Sequence, residues 1–547
     1  MLPIAAVLLA VVFLVSILAL LVLIWSISSG QFSMGPGNSS VIFHRDEAGK
    51  VEDPASTHRK RDQLQQLLVG SSRYTTPQPP PEEDDPNSRR QSDESTARAT
   101  RYLLGSACFW LVLGSFFGLA ASLKFNFPDW LNQDYEFTFG VFRSLHLNLV
   151  IYGWVSMAGM GVCLWLIPRL LKTTLGSDRF ALMGGHLWNA GLVLGSLGLF
   201  AGKSDGIEWL EFPWKTDLLF AFGGALIGLP ILSAIKRRKV KHLYVSVWYI
   251  GAAFVWFPFL FIVANLPIYD GVQHAIVNWW YAHNVLGLWI TPFGLAAAYY
   301  FIPKVIGKPI HSYQLSLLGF WALALFYSQV GLHHLIGGPV PTWLVSLSIV
   351  SSVMMIVPVV AVAINHHKTM WGHFAALRLS PTLLFVVSGA IMYTLVSLQG
   401  SLQSLRAVNT VTHFTHATVA HAHLGVYGFA SFVLFGSIYF IFPRLSGRNW
   451  ISQRLISLHY ALSLIGILLY GGVFFYGGVI QGMQMQDASV PFSQIVADTK
   501  PYLWVRTVAG ALMTLGHLVF VGHIWWVWYA PKSKRSFVPI AKEEVAR

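Results

Sequence analysis

The sequence predicts an all-α membrane protein: a twelve-helix core with one extra apolar helix in front of it. Three observations predict this. Of 547 residues, 54% are hydrophobic and only 11% charged, whereas a soluble globular chain carries about 25% charged residues. Apolar runs of roughly 20 residues, enough to cross a bilayer as a helix, recur along the chain. Basic residues gather in alternate loops between those runs, so the net charge of +13 does not argue for nucleic acid. Only two cysteines occur, Cys108 and Cys163, both inside apolar runs. A disulfide framework, a cysteine-ligated zinc site and an iron–sulfur site are therefore excluded as organising features.

Residues 2–25 form the first apolar run. It lacks a basic n-region and exceeds the usual h-region of about 7–15 residues, so it reads as an uncleaved span rather than a signal peptide. Residues 1–45 are then a membrane anchor and 46–100 a disordered linker. Within the linker, Thr75 to Thr96 is Pro-rich, charged and nearly devoid of apolar residues. Twelve spans follow in a core over 101–530. They lie near 103–123, 143–168, 180–202, 215–236, 241–266, 274–303, 311–336, 342–365, 381–402, 417–443, 455–482 and 502–529. Residues 531–547 are a tail.

Arg169 and Lys172, Lys236 to Lys241, Lys304 and Lys308, Lys368 and Arg378, Arg444 and Arg448, and Lys532 to Arg535 all follow even-numbered core spans. The positive-inside rule places those loops, the linker and the C-terminus in the cytoplasm, with the extreme N-terminus outside. Six histidines then fall in the outer third of the membrane. His146 and His283 lie early in inward-running spans, His333 and His334 end an outward-running one, and His421 and His423 open another inward-running one.

A polar imidazole in a bilayer is costly unless something binds it. Successive helical residues turn by about 100°, so His421 and His423 project roughly 200° apart and suit separate haems, one on each face. His146 is the candidate second axial ligand for one of them. His283 with the adjacent His333 and His334 makes a three-imidazole site, suited to copper, zinc or iron. A lone membrane histidine more often bonds helix to helix; His186, His459, His517 and His523 read that way. His366, His367 and His373 lie in a cytoplasmic loop, where solvation suffices.

His-Asn-Val-Leu-Gly (283–287), Gly-Leu-His-His (331–334) and His-Ala-His-Leu-Gly (421–425), with Arg-Ser-Leu-His (143–146) upstream, resemble the catalytic subunit of haem–copper oxidases. They are most similar to the cbb3-type cytochrome c oxidases, the C family. The resemblance covers about residues 101–530. It implies two haem b groups and one copper ion. His146 and His423 would hold low-spin haem, His421 high-spin haem, and His283, His333 and His334 the copper. Dioxygen would bind between that iron and the copper. Tyr327, six residues before the histidine pair, matches the family's redox-active tyrosine, cross-linked to His283. Arg143 and Trp279 would contact haem propionates, and Glu208 would bind a calcium ion linked to them. Residues 2–43 resemble the small assembly protein CcoS, which implies a fused role in cofactor insertion.

Only eleven carboxylates lie between Leu103 and Tyr529, and none between 271 and 486. A proton path through these spans must use hydroxyls and water. Ser316, Tyr327, Thr291 and Tyr393 resemble the family's single path from the cytoplasm, and Glu211, beside Glu208, is assigned with them. Hydroxyls that merely bond helix carbonyls are the competing account. The chain has no Cys-x-x-Cys-His and no copper–thiolate site, so electrons would come from cytochrome c through partner subunits carrying c-type haem. The reading is thus a bacterial inner-membrane oxidase reducing O2 to water. The rival is a nitric oxide reductase with non-haem iron in the copper position. Such enzymes place a Glu four residues after the first metal histidine; here that residue is Gly287.

Overall fold

The computed structural model describes residues 17–33, 38–44, 47–70, 87–131 and 133–529, and every regular element among them is helical. Part of the anchor expected over 2–25 and the 531–547 tail fall outside the described residues. The rest of the anchor is α1 (Ile17–Ser28). Then come α2 (His58–Val69), α3 (Ser88–Asn126), α4 (Phe139–Leu170), α5 (Arg179–Phe200), α6 (Trp214–Lys236) and α7 (Val245–Ala264). The remainder are α8 (Val272–Ile306), α9 (Tyr313–Tyr327), α10 (Thr342–Met370), α11 (Pro381–Gln403), α12 (His416–Ser446), α13 (Gln453–Met485) and α14 (Phe492–Tyr529).

Helices α3 to α14 occupy the twelve expected spans, and eleven of those spans, the seventh taken through to Leu335, are long and apolar enough to cross a membrane. The other is α5, whose apolar run is diluted by Gly184, Gly185, His186 and Asn189; it packs along α6. Side-chain caps set several helix starts. Thr138, Ser312, Ser380, Thr415 and Ser452 each accept a main-chain N–H of the first turn of α4, α9, α11, α12 and α13, supplying a partner that water could not provide at the membrane edge.

Burial separates the spans into two rings. The most apolar stretches of α4, α8 and α12 are 94%, 89% and 89% buried, whereas every other span lies between 39% and 61%. These three helices therefore form the inner bundle, and the others shield it from lipid. They interlock in a triangle. Gly159 of α4 leaves room for the Phe293 ring of α8, and Gly294 of α8 leaves room for the Phe429 ring of α12. Trp289 of α8 donates to Ser156 of α4 at 2.9 Å, and Trp154 of α4 donates to Ser431 of α12 at 2.8 Å. Each inner helix also carries a π-helical stretch, Leu149–Ser156, Leu286–Ile290 and Leu424–Ser431, just after its histidine. Such bulges shift the side-chain phase of a helix and cluster at functional sites.

Two expectations are corrected here. The seventh span does not run as one helix to the histidine pair. α9 stops at Tyr327, and a separate 3₁₀ turn, Leu332–Leu335, carries His333 and His334. Tyr327 is thus a helix terminus rather than an interior residue. The linker expected over 46–100 is not disordered where it is described. Residues 47–70 include α2, and α3 begins at Ser88; Phe43, Ala55, Leu64 and Ala99 are fully buried. Composition suggested disorder because few of these residues are apolar; they are held instead by charge pairs.

The inner triangle yields a test. Gly294→Val would drive a methyl group into Phe429, an overpacking cost of about 1–3 kcal/mol. Thermal unfolding of the purified protein followed by fluorescence size exclusion is expected to show a lowered midpoint, with no comparable effect from Gly105→Val, where a Cβ meets open space.

Candidate metal centre

The six histidines converge at one end of the inner bundle. His146 sits on α4, His283 on α8, and His421 and His423 on α12. His333 and His334 reach them from the 3₁₀ turn because Gly331, with φ +113°, bends the chain sharply. A Cβ there would stand 2.6 Å from the Trp279 carbonyl and 3.1 Å from His283 Cβ, so the close approach requires glycine.

The ring nitrogens fix the chemistry. His146 Nδ1 donates to the Gly114 carbonyl at 2.8 Å and His423 Nδ1 to the Val419 carbonyl at 2.9 Å. His421 Nδ1 donates to Gln399 Oε1 at 2.9 Å. An imidazole whose Nδ1–H is held by an acceptor presents a basic Nε2 lone pair, the arrangement typical of metal ligands. His146 and His423 face one another with parallel rings, planes 14° apart and centroids separated by 6.0 Å. That is too far for stacking contact. It is the spacing expected of two imidazoles sharing one metal, given a metal–nitrogen bond of about 2 Å on each side. All of these imidazoles except His333 are only half-buried, although their spans are almost wholly buried. The residues therefore fit a flat macrocycle inserted between helices.

His283, His333 and His334 form a group whose ligand atoms all lie within 4.8 Å of one another. His333 Nδ1 meets Ser352 Oγ at 3.0 Å, and His283 Nδ1 is buried with no hydrogen-bond partner outside its own residue. An orphaned buried nitrogen is costly, and a metal would satisfy it. Trp279 stacks on His334 at 4.3 Å and 19°, so its ring lies against the triad. Tyr327 stands beside His283, ring centroids 5.2 Å apart. Gly287, one turn beyond His283, makes that possible: a Cβ at 287 would overlap the Tyr327 ring. A glutamate at this position and a tyrosine at 327 are mutually exclusive in this packing.

Arg143 pairs with both acids of the 208/211 pair, through Nη2 to Glu208 and through Nη1 to Glu211 at 3.4 Å. Asn148 also donates to Glu211 at 2.8 Å. Burial pushes the Glu211 carboxyl up, against the lowering pull of Asn148 and Arg143. Glu208 is thus engaged by a guanidinium, and it belongs to no metal-holding group of three or more residues among the described residues. Glu211 lies at the histidine end, remote in sequence and position from Ser316 near the start of α9. Ser316 Oγ donates to the Tyr313 carbonyl at 2.6 Å, the local bond of the competing account. Tyr393 packs on Phe429 at 4.9 Å, and its hydroxyl is buried. Thr291 follows the π-helical stretch of α8.

The four histidines read as structural are so: His186 meets Tyr102, His459 meets Tyr439, His517 meets Ser115 and Tyr427, and His523 accepts from Ser452. His366, His367 and His373 are corrected. His366 and His367 lie on α10 rather than in a loop, and His366, against Tyr299, and His373 are buried rather than solvated. Sequence reasoning missed Gln399, Ser352, Tyr470 and Arg506, and His413, which bonds to the His334 main chain. Tyr470 stacks on His423 at 4.2 Å, and Arg506 bonds to the Tyr470 hydroxyl. Only His413 had a signal, its place in the histidine-rich run 413–423.

Residues 98–512 match the family described as Cytochrome C and Quinol oxidase polypeptide I. The chain belongs to that family. The oxidase is 31% identical to the Cbb3-type cytochrome c oxidase subunit CcoN1 of Stutzerimonas stutzeri, covering 76% of this chain and 91% of that one. It is also 31% identical to a Cytochrome c oxidase subunit 1 of Rhodobacter capsulatus, over 76% and 82%. Its fold matches a heme-copper terminal oxidase dimer with a TM-score of 0.66 over 81% of this chain and 86% of that one, at 16% identity. The chain is therefore a haem–copper terminal oxidase subunit I of the cbb3 type, an oxidoreductase and a multi-pass membrane protein. Nitric oxide reduction is not favoured.

Gln399→Leu removes the acceptor of His421 Nδ1 without touching the ligand. Loss of such a supporting bond typically costs about 10–100-fold in metal affinity or activity. Pyridine haemochrome analysis of the purified variant is expected to show less haem per protein than the native chain, and added haem is expected to restore it.

Proposed function

We propose that this chain reduces dioxygen to water at a centre formed by His421, His283, His333 and His334, with electrons from cytochrome c relayed through c-type-haem subunits. The observation that carries the proposal is the state of the ring nitrogens. His146, His421 and His423 each have Nδ1 committed to a protein acceptor, while His283 Nδ1 is buried without a partner beside His333 and His334.

Two haem b groups, on His146 with His423 and on His421, and one copper on the triad would supply electron relay and a two-metal position for oxygen. The chain's own residues orient them. Trp279 and Gly331 fix the triad, and Tyr470 with Arg506 backs His423. Tyr327, next to His283, is placed to give a proton and an electron from its phenol. Tyr393 and Thr291 continue a hydroxyl route from Tyr327, and Ser316 joins it by turning its O–H away from the Tyr313 carbonyl. Arg143 with Glu208 and Glu211 sets the charge at the histidine end, where propionates of an inserted haem would be balanced. A calcium ion at Glu208 would have to displace Arg143.

The orientation belongs to the same proposal: histidines toward the outside of a bacterial inner membrane, with the basic loops and C-terminus cytoplasmic. So does an assembly role for the CcoS-like N-terminal residues.

Carbon monoxide difference spectra and oxygen consumption of the purified complex test the reading. A CO-reactive high-spin haem b is expected. Tyr327→Phe is expected to lower oxygen consumption at least 100-fold while both haem signals persist. Absence of a CO-reactive haem, or full activity in Tyr327→Phe, contradicts the proposal.

A further inference from the structure

The inner helices share a second feature at the opposite end. Pro168-Arg169, Pro303-Lys304 and Pro443-Arg444 close α4, α8 and α12, standing 23, 21 and 23 residues after His146, His283 and His421. At 1.5 Å per residue that is about 32–35 Å along each helix. All three cations are buried, their side chains 1–4% exposed. A cation in this position is destabilising unless paired.

The counter-charges among the described residues all come from the segment before the oxidase match, which starts at 98. Glu47 binds Lys304 at 2.6 Å and Arg89 at 3.0 Å. Glu52 binds Lys304 at 2.9 Å and also Arg444. Asp93 binds Arg169 at 2.6 Å. Main-chain bonds add to this: Gly49 N–H donates to the Gly307 carbonyl at 2.8 Å and Glu52 N–H to the Val305 carbonyl at 3.2 Å. Asp53, fully buried, accepts from Thr382 at 2.7 Å and from Ser380 at the start of α11. Gln453, in the first turn of α13, donates to the Ala55 carbonyl at 2.6 Å. Val41, Ile42 and Phe43 are buried beneath these contacts, and Lys304 lies over the Phe43 ring. Burial would raise the Glu47 carboxyl, yet Arg89 and Lys304 hold it well below the usual range, so it stays charged.

We propose that residues 38–44 and 47–70 are a built-in cap that acts as a subunit would, with Glu47 and Glu52 as positioning residues. Through Lys304 and Arg444 the cap locks α8 and α12 in mutual register, and with them the two helices that carry the triad's His283 and the axial ligand His421. Asp93 on α3 secures α4 in the same layer. The cap touches neither metal nor substrate; it acts through the helices.

The test uses the full chain in its purified complex, with a specific protease site inserted between residues 71 and 86. After cleavage, fragment 1–70 is expected to co-elute with the remainder in the native sequence and to be lost in Glu47→Gln/Glu52→Gln. The uncleaved double variant is expected to lose at least half of its CO-reactive haem. Adding Lys304→Met and Arg444→Met is expected to leave that haem depleted, because removing the charges on both sides does not restore the link between the cap and the two helices. Release of the fragment from the native sequence, equal retention in the double variant, or haem restored in the quadruple variant would overturn the proposal. Fragment retention is read independently of oxygen consumption, so failure here and failure of the oxidase reading are distinguishable.

Discussion

An imidazole inside a bilayer has two nitrogens to satisfy, and the whole architecture depends on how that is done. For His146, His421 and His423 one nitrogen is fixed by Gly114, Gln399 or Val419 and the other is left basic. His517 sits in an equally apolar helix but spends both nitrogens on serine and tyrosine hydroxyls. The same residue type is therefore a ligand or a strut according to which partners surround it. Placing four such ligand-bearing segments at one level requires helices that cannot slide or rotate. The inner triangle of α4, α8 and α12 supplies this through ring-in-glycine packing and two tryptophan–serine bonds.

Seen this way, the two ends of the inner bundle are complementary. At one end the polar groups are clustered imidazole nitrogens; at the other they are three buried cations matched by acids from the N-terminal segment. Between them the helices are apolar and close-packed, with π-helical stretches adjusting phase just past each histidine. Gly287 shows how tightly the chemistry is tied to packing. Its missing side chain is the space that Tyr327 fills, so the choice between a tyrosine and an acid beside the triad is steric before it is electronic.

Much of this was legible in the sequence. Twelve spans and the six histidines stand out from apolar run length, loop charge and histidine spacing, each a local property of the chain, whereas Tyr327 was marked only by the resemblance to the haem–copper oxidases. What was not legible is non-local. Gln399 and Ser352 look like ordinary polar residues in spans, and only folding sets them against ring nitrogens 22 and 19 residues away. The break after Tyr327 was hidden because Ser-Gln-Val-Gly is compatible with a helix until Gly331 takes positive φ. The charged segment 47–70 read as disordered because composition cannot register that its acids meet buried cations more than 250 residues away. The repeated Pro-Arg, Pro-Lys and Pro-Arg, 21 to 23 residues after a histidine each time, was the available signal.

The central claim is that these helices hold three imidazoles for copper beside a haem-ligating histidine. Metal analysis with copper-edge X-ray absorption on the purified complex tests it most directly. The account predicts one copper per two haem b, coordinated by three nitrogens at about 2 Å, and loss of that copper in His283→Ala. Iron in its place, or a copper retained with unchanged nitrogen coordination in His283→Ala, would contradict it.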